Sequence, residues 1–226
     1  MKVEIWSDIV CPWCYIGKRR FETALAQFEQ RDDVEVVYRS FELDPSAARS
    51  SDVTNYERLA HKYGMSVEDA RARSTQVADA GAQDGLRLDF EKVRPSNSFD
   101  AHRIVHLAAR HGAQAEAMER LHQLYFSEGS LLSDGDALVA AAADVGVPEN
   151  EARDVVDNVA MLADEVRADE RLASQFGLSG VPAFVIDRKY LISGAQPAEY
   201  MLAALEQAWA ETASDHHGQD AAASHP

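Results

Sequence analysis

At 226 residues and 24.9 kDa the chain is long enough for one large domain or two small ones, and its 46% apolar and 27% charged residues allow a real core. A net charge of −16 argues against nucleic acid or an anionic membrane as partner, and no run nears the roughly 18 apolar residues that cross a bilayer. Lys2, Glu4 and Asp8 interrupt the first ten residues, which therefore lack the apolar stretch of an export signal; the expected location is the cytoplasm, where disulfides rarely brace a fold.

KVEIWSDIV (2–10) alternates apolar and polar residues and reads as a strand. From Pro12 the period changes: Tyr15, Ile16, Phe21, Leu25 and Phe28 recur at helical spacing. VEVVYRSFEL (34–43) is a second strand, stopped by Asp44-Pro45, and the three elements make a βαβ unit. The middle is helical. One helix spans Asn55 to Tyr63 and stops at Gly64, and Ser66-x-x-Asp69, similar to a capping box, opens another that runs toward Gly81. After RPSNSFD a helix carries Phe99, Ile104, Val105, Leu107 and Ala108, and further helices are expected at 114–127, at 134–145 and, long or broken, over 149–176. No internal period marks a solenoid.

AFVID (183–187) and YLISG (190–194), separated by Arg188-Lys189, then read as a hairpin, and Pro197 opens a last helix over 198–212. The order βαβ, helices, ββα predicts an α/β protein in which residues 1–45 and 176–213 form one small domain and residues 46–175 a helical domain inserted into it. Residues 214–226 are polar and unpatterned and are expected to be a disordered tail; their histidines are not read as a metal site.

The only two cysteines, Cys11 and Cys14, lie in CPWC between the first strand and the first helix. There Cys11 falls at or just before the N-cap, Pro12 at the first helical position and Cys14 one turn in. Free N–H groups and the positive end of the helix dipole favour a thiolate on Cys11, and Cys14 is placed to resolve a mixed disulfide. A structural disulfide would close only this four-residue loop and restrain little. Zinc needs about four ligands, and no second CxxC supplies the rest. A redox dithiol after the first strand of a βαβ unit is the thioredoxin-type signature. SGVPAF (179–184) adds Val181-Pro182 immediately before the third strand, where a thioredoxin fold carries a cis-proline facing the dithiol; the peptide groups of Val181 would then pair with an extended substrate. The plain alternative is a trans proline that starts a strand.

CPWCYIGKRRFE, NSFDAHR and SGVPAFVI with SGAQP together resemble the DsbA family of thioredoxin-fold proteins, in its FrnE-like subgroup, over residues 1–212. The resemblance implies a thioredoxin fold with a helical insertion and thiol–disulfide oxidoreductase activity, with Cys11 attacking, Cys14 resolving and Pro182 as the cis-proline. The same branch holds 2-hydroxychromene-2-carboxylate isomerases and kappa-class glutathione transferases, whose active-site helix typically carries serine where this chain has Cys11 or Cys14. Retention of both thiols favours redox work over a glutathione-dependent isomerase or transferase acting on a small aromatic or polyketide-like molecule. A redox-responsive binding protein is the non-enzymatic alternative.

Within NSFDAHR, Asn97, Ser98 and His102 are candidates to line the cleft above Cys11 and hold a substrate or glutathione. Read locally, Asn97 or Ser98 caps a helix, Arg103 sits in solvent and His102 is a satisfied, partly buried histidine. Asp8 either accepts a proton as Cys14 is activated or is a carboxylate placed by the helix dipole. Trp13 either packs the dithiol loop or offers clients an apolar contact. No metal or organic cofactor is required. Partners are a protein or small-molecule thiol or disulfide, with glutathione as a candidate co-substrate or a thioredoxin system recycling the dithiol; monomer and homodimer both remain open.

Overall fold

The computed structural model describes the backbone of residues 1–222 and the side chains of residues 1–212. Strand β1 (Lys2–Ser7) lies parallel to β2 (Glu35–Ser40) and antiparallel to β3 (Ala183–Ile186), which pairs with β4 (Tyr190–Ser193), so the sheet order is β2-β1-β3-β4. The central β1 is buried on both faces, and its period of two divides the core. Val3 and Ile5 join Phe184 and Ile186 in the main core, whereas Trp6 meets Ala183 and Val185 on the other side. Buried Glu4 is neutralised there by Arg39 at 2.6 Å and Arg188 at 3.2 Å.

Helix α1 (Pro12–Gln27) crosses the main face, with Phe21 stacked on Phe184 at 5.5 Å between ring centres. The insertion contributes α2 (Asn55–Tyr63), α3 (Val67–Gln83), α4 (Phe99–Arg110), α5 (Gln114–Gln123), α6 (Gly135–Asp144), α7 (Glu149–Asp157) and α8 (Ala163–Gln175). Helix α9 (Ala198–Ala222) packs against α1, where Trp209 meets Phe28 edge-on. One apolar core runs from the sheet into the helices, and α8 covers the second sheet face through Leu172 and Ala173 against Trp6.

Several expected boundaries move. The first strand ends at Ser7 rather than residue 10, because the Asp8 carboxylate takes the amides of Val10 and Leu43, and the Cys11 amide bonds the Asp8 carbonyl. The second strand ends at Ser40, the partner of Ser7. The helix expected over 114–127 changes to a π-type turn at Leu124–Glu128. The segment 149–176 is broken between α7 and α8, with Leu162 in the left-handed region at φ 63°. Arg103 explains that break. It is fully buried, not solvent-facing as the local reading had it, and donates to the carbonyls of Val155, Asn158 and Met161 around the end of α7 while pairing with Asp100 at 2.7 Å. The last helix continues past residue 212 to Ala222, into the segment expected to be a disordered tail; residues 223–226 lie outside the described residues.

Candidate active site

Cys11 is the N-cap of α1, in extended conformation, with Pro12 at the start of the helix and no acidic residue in the first turn. No side chain caps this end, Pro12 has no N–H, and the Cys14 and Tyr15 amides bond the Cys11 carbonyl, so the helix start acts on the Cys11 sulfur mainly through the positive end of its dipole. The two thiols differ in setting. Cys11 borders the cleft, with its Sγ 3.8 Å from the Val181 carbonyl oxygen. Cys14 is buried behind it, its Sγ accepting the Asp8 amide at 3.4 Å. Burial, together with neighbouring Cys11, pushes the Cys14 thiol well above the ordinary cysteine range.

The Val181–Pro182 bond is cis, as the residue pattern suggested. Helix α1 lies directly on this loop: a Cβ at Gly17 would sit 2.9 Å from Pro182 Cγ and 3.3 Å from Phe184 Cζ. Glycine at this point in IGKRR thus lets the dithiol helix approach the Val181–Pro182 segment.

A cleft of about 400 Å³ opens in front of Cys11, bordered by Pro12, Trp13 and Leu43, walled by α2 and α3, and backed by Ser96, Ser98 and Tyr125. Trp13 is 43% exposed and offers its ring to the cleft rather than to the core. Of the NSFDAHR candidates only Ser98 reaches this lining; Asn97 and His102 stand behind it. Asn97 Oδ1 accepts the Phe99 amide at 2.8 Å, opening α4, and its Nδ2 donates to Glu42 at 3.2 Å. Ser98 occupies the N-cap without a side-chain capping bond. His102 is buried, with Nε2 3.4 Å from Asp8 Oδ1, in ion-pair range but out of line for a hydrogen bond.

Asp8 is completely buried beneath the dithiol loop. Burial alone would raise its acid, but His102, the Leu43 amide and the Ser98 hydroxyl outweigh that and hold it below the usual carboxylate range. The motif therefore supports a buried anion, which in turn ties down the loop after β2 through the 2.7 Å bond to Leu43. Two neighbours escaped the sequence reading. His122 of α5 is fully buried and stacks flat on Tyr15 at 4.7 Å, next to Cys14 in the chain. Lys18, only 4% exposed, sits between Glu22 at 2.6 Å and Glu119 at 2.9 Å. Neither carries a spacing signature, since an apolar helix face accommodates a single histidine or lysine without changing its period. Among the described residues no cluster of three or more histidine, cysteine or acidic side chains is placed to hold a metal, and no helix is long and apolar enough to cross a membrane.

The family model for the DSBA-like thioredoxin domain matches residues 2–206. The crystal structure of a probable DsbA oxidoreductase, SCO1869 from Streptomyces coelicolor, is 47% identical, covers 93% of this chain and 91% of its own, and superposes with a TM-score of 0.89. Two more distant structures share the fold. The cytosolic disulfide reductase DsbM from Pseudomonas aeruginosa, solved with GSH, is 19% identical over 92% of this chain and 98% of its own, with a TM-score of 0.62. A 2-hydroxychromene-2-carboxylate isomerase is 14% identical over 97% and 99%, with a TM-score of 0.66. With the match running from β1 into α9 and taking in both CPWC and the Val181–Pro182 loop, this chain belongs to the DSBA-like thioredoxin domain family.

Proposed function

We propose that the chain is a thiol–disulfide oxidoreductase working through Cys11 and Cys14. The observation that carries this reading is the asymmetry of the two thiols: both are buried, but Cys11 caps α1 and lines the cleft, while Cys14, one turn behind it, does not reach the lining. The Cys11 thiolate attacks a substrate disulfide, bonding to one half and releasing the other as a thiolate. Cys14 then gives up its proton and attacks the Cys11 sulfur of the mixed disulfide. The second half leaves, both halves end as thiols, and the protein holds a Cys11–Cys14 disulfide. Run backwards, the same steps oxidise a dithiol. The Val181 backbone beside Cys11 offers an edge for an extended substrate, and Asp8 with His102 serves to position the loop that carries the dithiol.

The DsbM structure with GSH supports glutathione as a co-substrate and a cytoplasmic setting. The test is to incubate wild type, Cys11→Ser and Cys14→Ser with oxidised glutathione and read intact masses. Wild type should lose two hydrogens, Cys14→Ser should accumulate a glutathione adduct on Cys11, and Cys11→Ser should do neither. An adduct forming on Cys14 in Cys11→Ser at the wild-type rate would refute the assignment. Isomerase chemistry in the same cleft would survive Cys11→Ser, because a hydroxyl can stand in that position.

A further inference from the structure

In a chain with 38 acidic and 22 basic residues, most cations are occupied by carboxylates: Lys18, Arg19, Arg20, Arg39, Arg120 and Arg167 all lie in close ion pairs. The wall of the Cys11 cleft breaks that pattern. Arg58 and Lys62, one turn apart on α2, and Arg73 on α3 line it, and none has a carboxylate partner among the described residues. Among the described residues the Arg58 guanidinium has one side-chain hydrogen bond, to Asn55 at 3.3 Å, and its Nε is buried without a partner. The acids in the same cleft are occupied. Asp8 is held by the Leu43 and Val10 amides, and Asp44 by the Ser46 amide at 3.1 Å and hydroxyl at 2.7 Å.

Much of the remaining lining is apolar, with Trp13, Leu43, Val53 and Tyr63 exposed around it. The volume of about 400 Å³ falls within the range of small-molecule sites. We propose that this wall selects small disulfides and thiols that bear a carboxylate on an apolar arm, the sulfur meeting Cys11 and the carboxylate the Arg58, Lys62 and Arg73 side. The assignment rests on the disulfide-exchange reading and adds its substrate class. It also runs against the protein's overall field. A net charge of −16 repels anions at long range, but screening limits that to about 8 Å at physiological salt, whereas the half-buried Arg58 and the exposed Lys62 and Arg73 on the cleft wall act at contact.

Three disulfides with the same two-carbon arms isolate the charge: 3,3′-dithiodipropionate (anionic), bis(2-hydroxyethyl) disulfide (neutral) and cystamine (cationic). Each is mixed with the reduced full-length protein, and formation of the Cys11–Cys14 disulfide is timed by intact mass. The comparison is repeated with Arg58→Gln/Lys62→Gln/Arg73→Gln. Taking the variant-to-wild-type ratio probe by probe cancels the probes' own reactivities, and the neutral probe reports any general damage. The anionic probe should lose about tenfold more rate than the neutral one, and cystamine should lose least. Equal ratios for all three probes would overturn the proposal. If no probe oxidised the wild-type dithiol, the disulfide-exchange reading itself would fail, an outcome recognisable because it is independent of charge.

Discussion

Gly17→Ala sets two effects of opposite sign against each other. Gly17 lies inside α1, where alanine is favoured over glycine by about 1 kcal/mol, so helix propensity alone predicts a more stable protein. The contact geometry predicts the reverse. The new methyl carbon would sit 2.9 Å from Pro182 Cγ, well inside the carbon–carbon separation of about 3.5 Å at which attraction is optimal. The proline ring cannot rotate aside, and Phe184 at 3.3 Å with Ala195 at 3.5 Å blocks a sideways shift. Overpacking of this kind costs about 1–3 kcal/mol, so the net expectation is a loss of about 1 kcal/mol, with Tm lower by about 2–4 °C. Urea unfolding and a thermal melt of the reduced protein measure both. Because relief of the clash lifts α1 from the Val181–Pro182 segment, disulfide exchange should slow as well. A Tm that rises, with exchange unchanged, would refute the close-contact argument.

Other expectations follow from the buried charges. Burial, aided by nearby Lys18, lowers the His122 imidazolium to about 4 from the ordinary 6.5. As pH falls from 6.5 to 4 the unfolded chain takes up that proton before the folded one, so stability drops by up to about 3 kcal/mol across this window. In His122→Gln that part of the slope should vanish; a chemical-denaturation series from pH 7 to 4 with the wild-type slope retained would contradict the assignment. Glu119 is the opposite case: burial would raise its acid, but Lys18, the Tyr15 hydroxyl and Arg19 outweigh it and bring it down to about 2. Its contribution is complete above about 4.5 and is lost as pH falls toward 2. Glu119→Gln should cost about 2 kcal/mol at pH 7, less than a fully buried pair would because Lys18 keeps Glu22, and urea unfolding should show it. A loss below about 0.5 kcal/mol would place the ion pair among the weak surface ones.

What could be read from the sequence was what local order controls. CPWC gave its own position because proline and a change of period mark a helix start, and Val181-Pro182 stood out through its place before a strand. The interplay of distant segments was not legible. Arg103 looked like a surface charge on α4, yet its partners are carbonyls more than fifty residues away around the end of α7. The NSFDAHR motif was visible as a motif, but which of its side chains faces the cleft depends on Asp8 and Glu42, supplied by two loops at the ends of β1 and β2. Asp8 also shortens β1, since a side chain that captures two amides leaves them unavailable to the sheet. Gly17 carries no signal of its role in the sequence, because only the packed structure brings Pro182 against it. The cations of α2 and α3 carry no signal in the sequence, because their lack of carboxylate partners is a property of how the other charges pair in the fold.

The most direct test of the central claim is to equilibrate the full-length protein across glutathione redox buffers, quench with acid and read each point by intact mass. A redox dithiol should lose two hydrogens with one midpoint, a change abolished by replacing either Cys11 or Cys14. Absence of the Cys11–Cys14 disulfide at every buffer ratio, above all with glutathione retained in its place, would contradict it and turn the cleft toward glutathione-dependent isomerase or transferase chemistry.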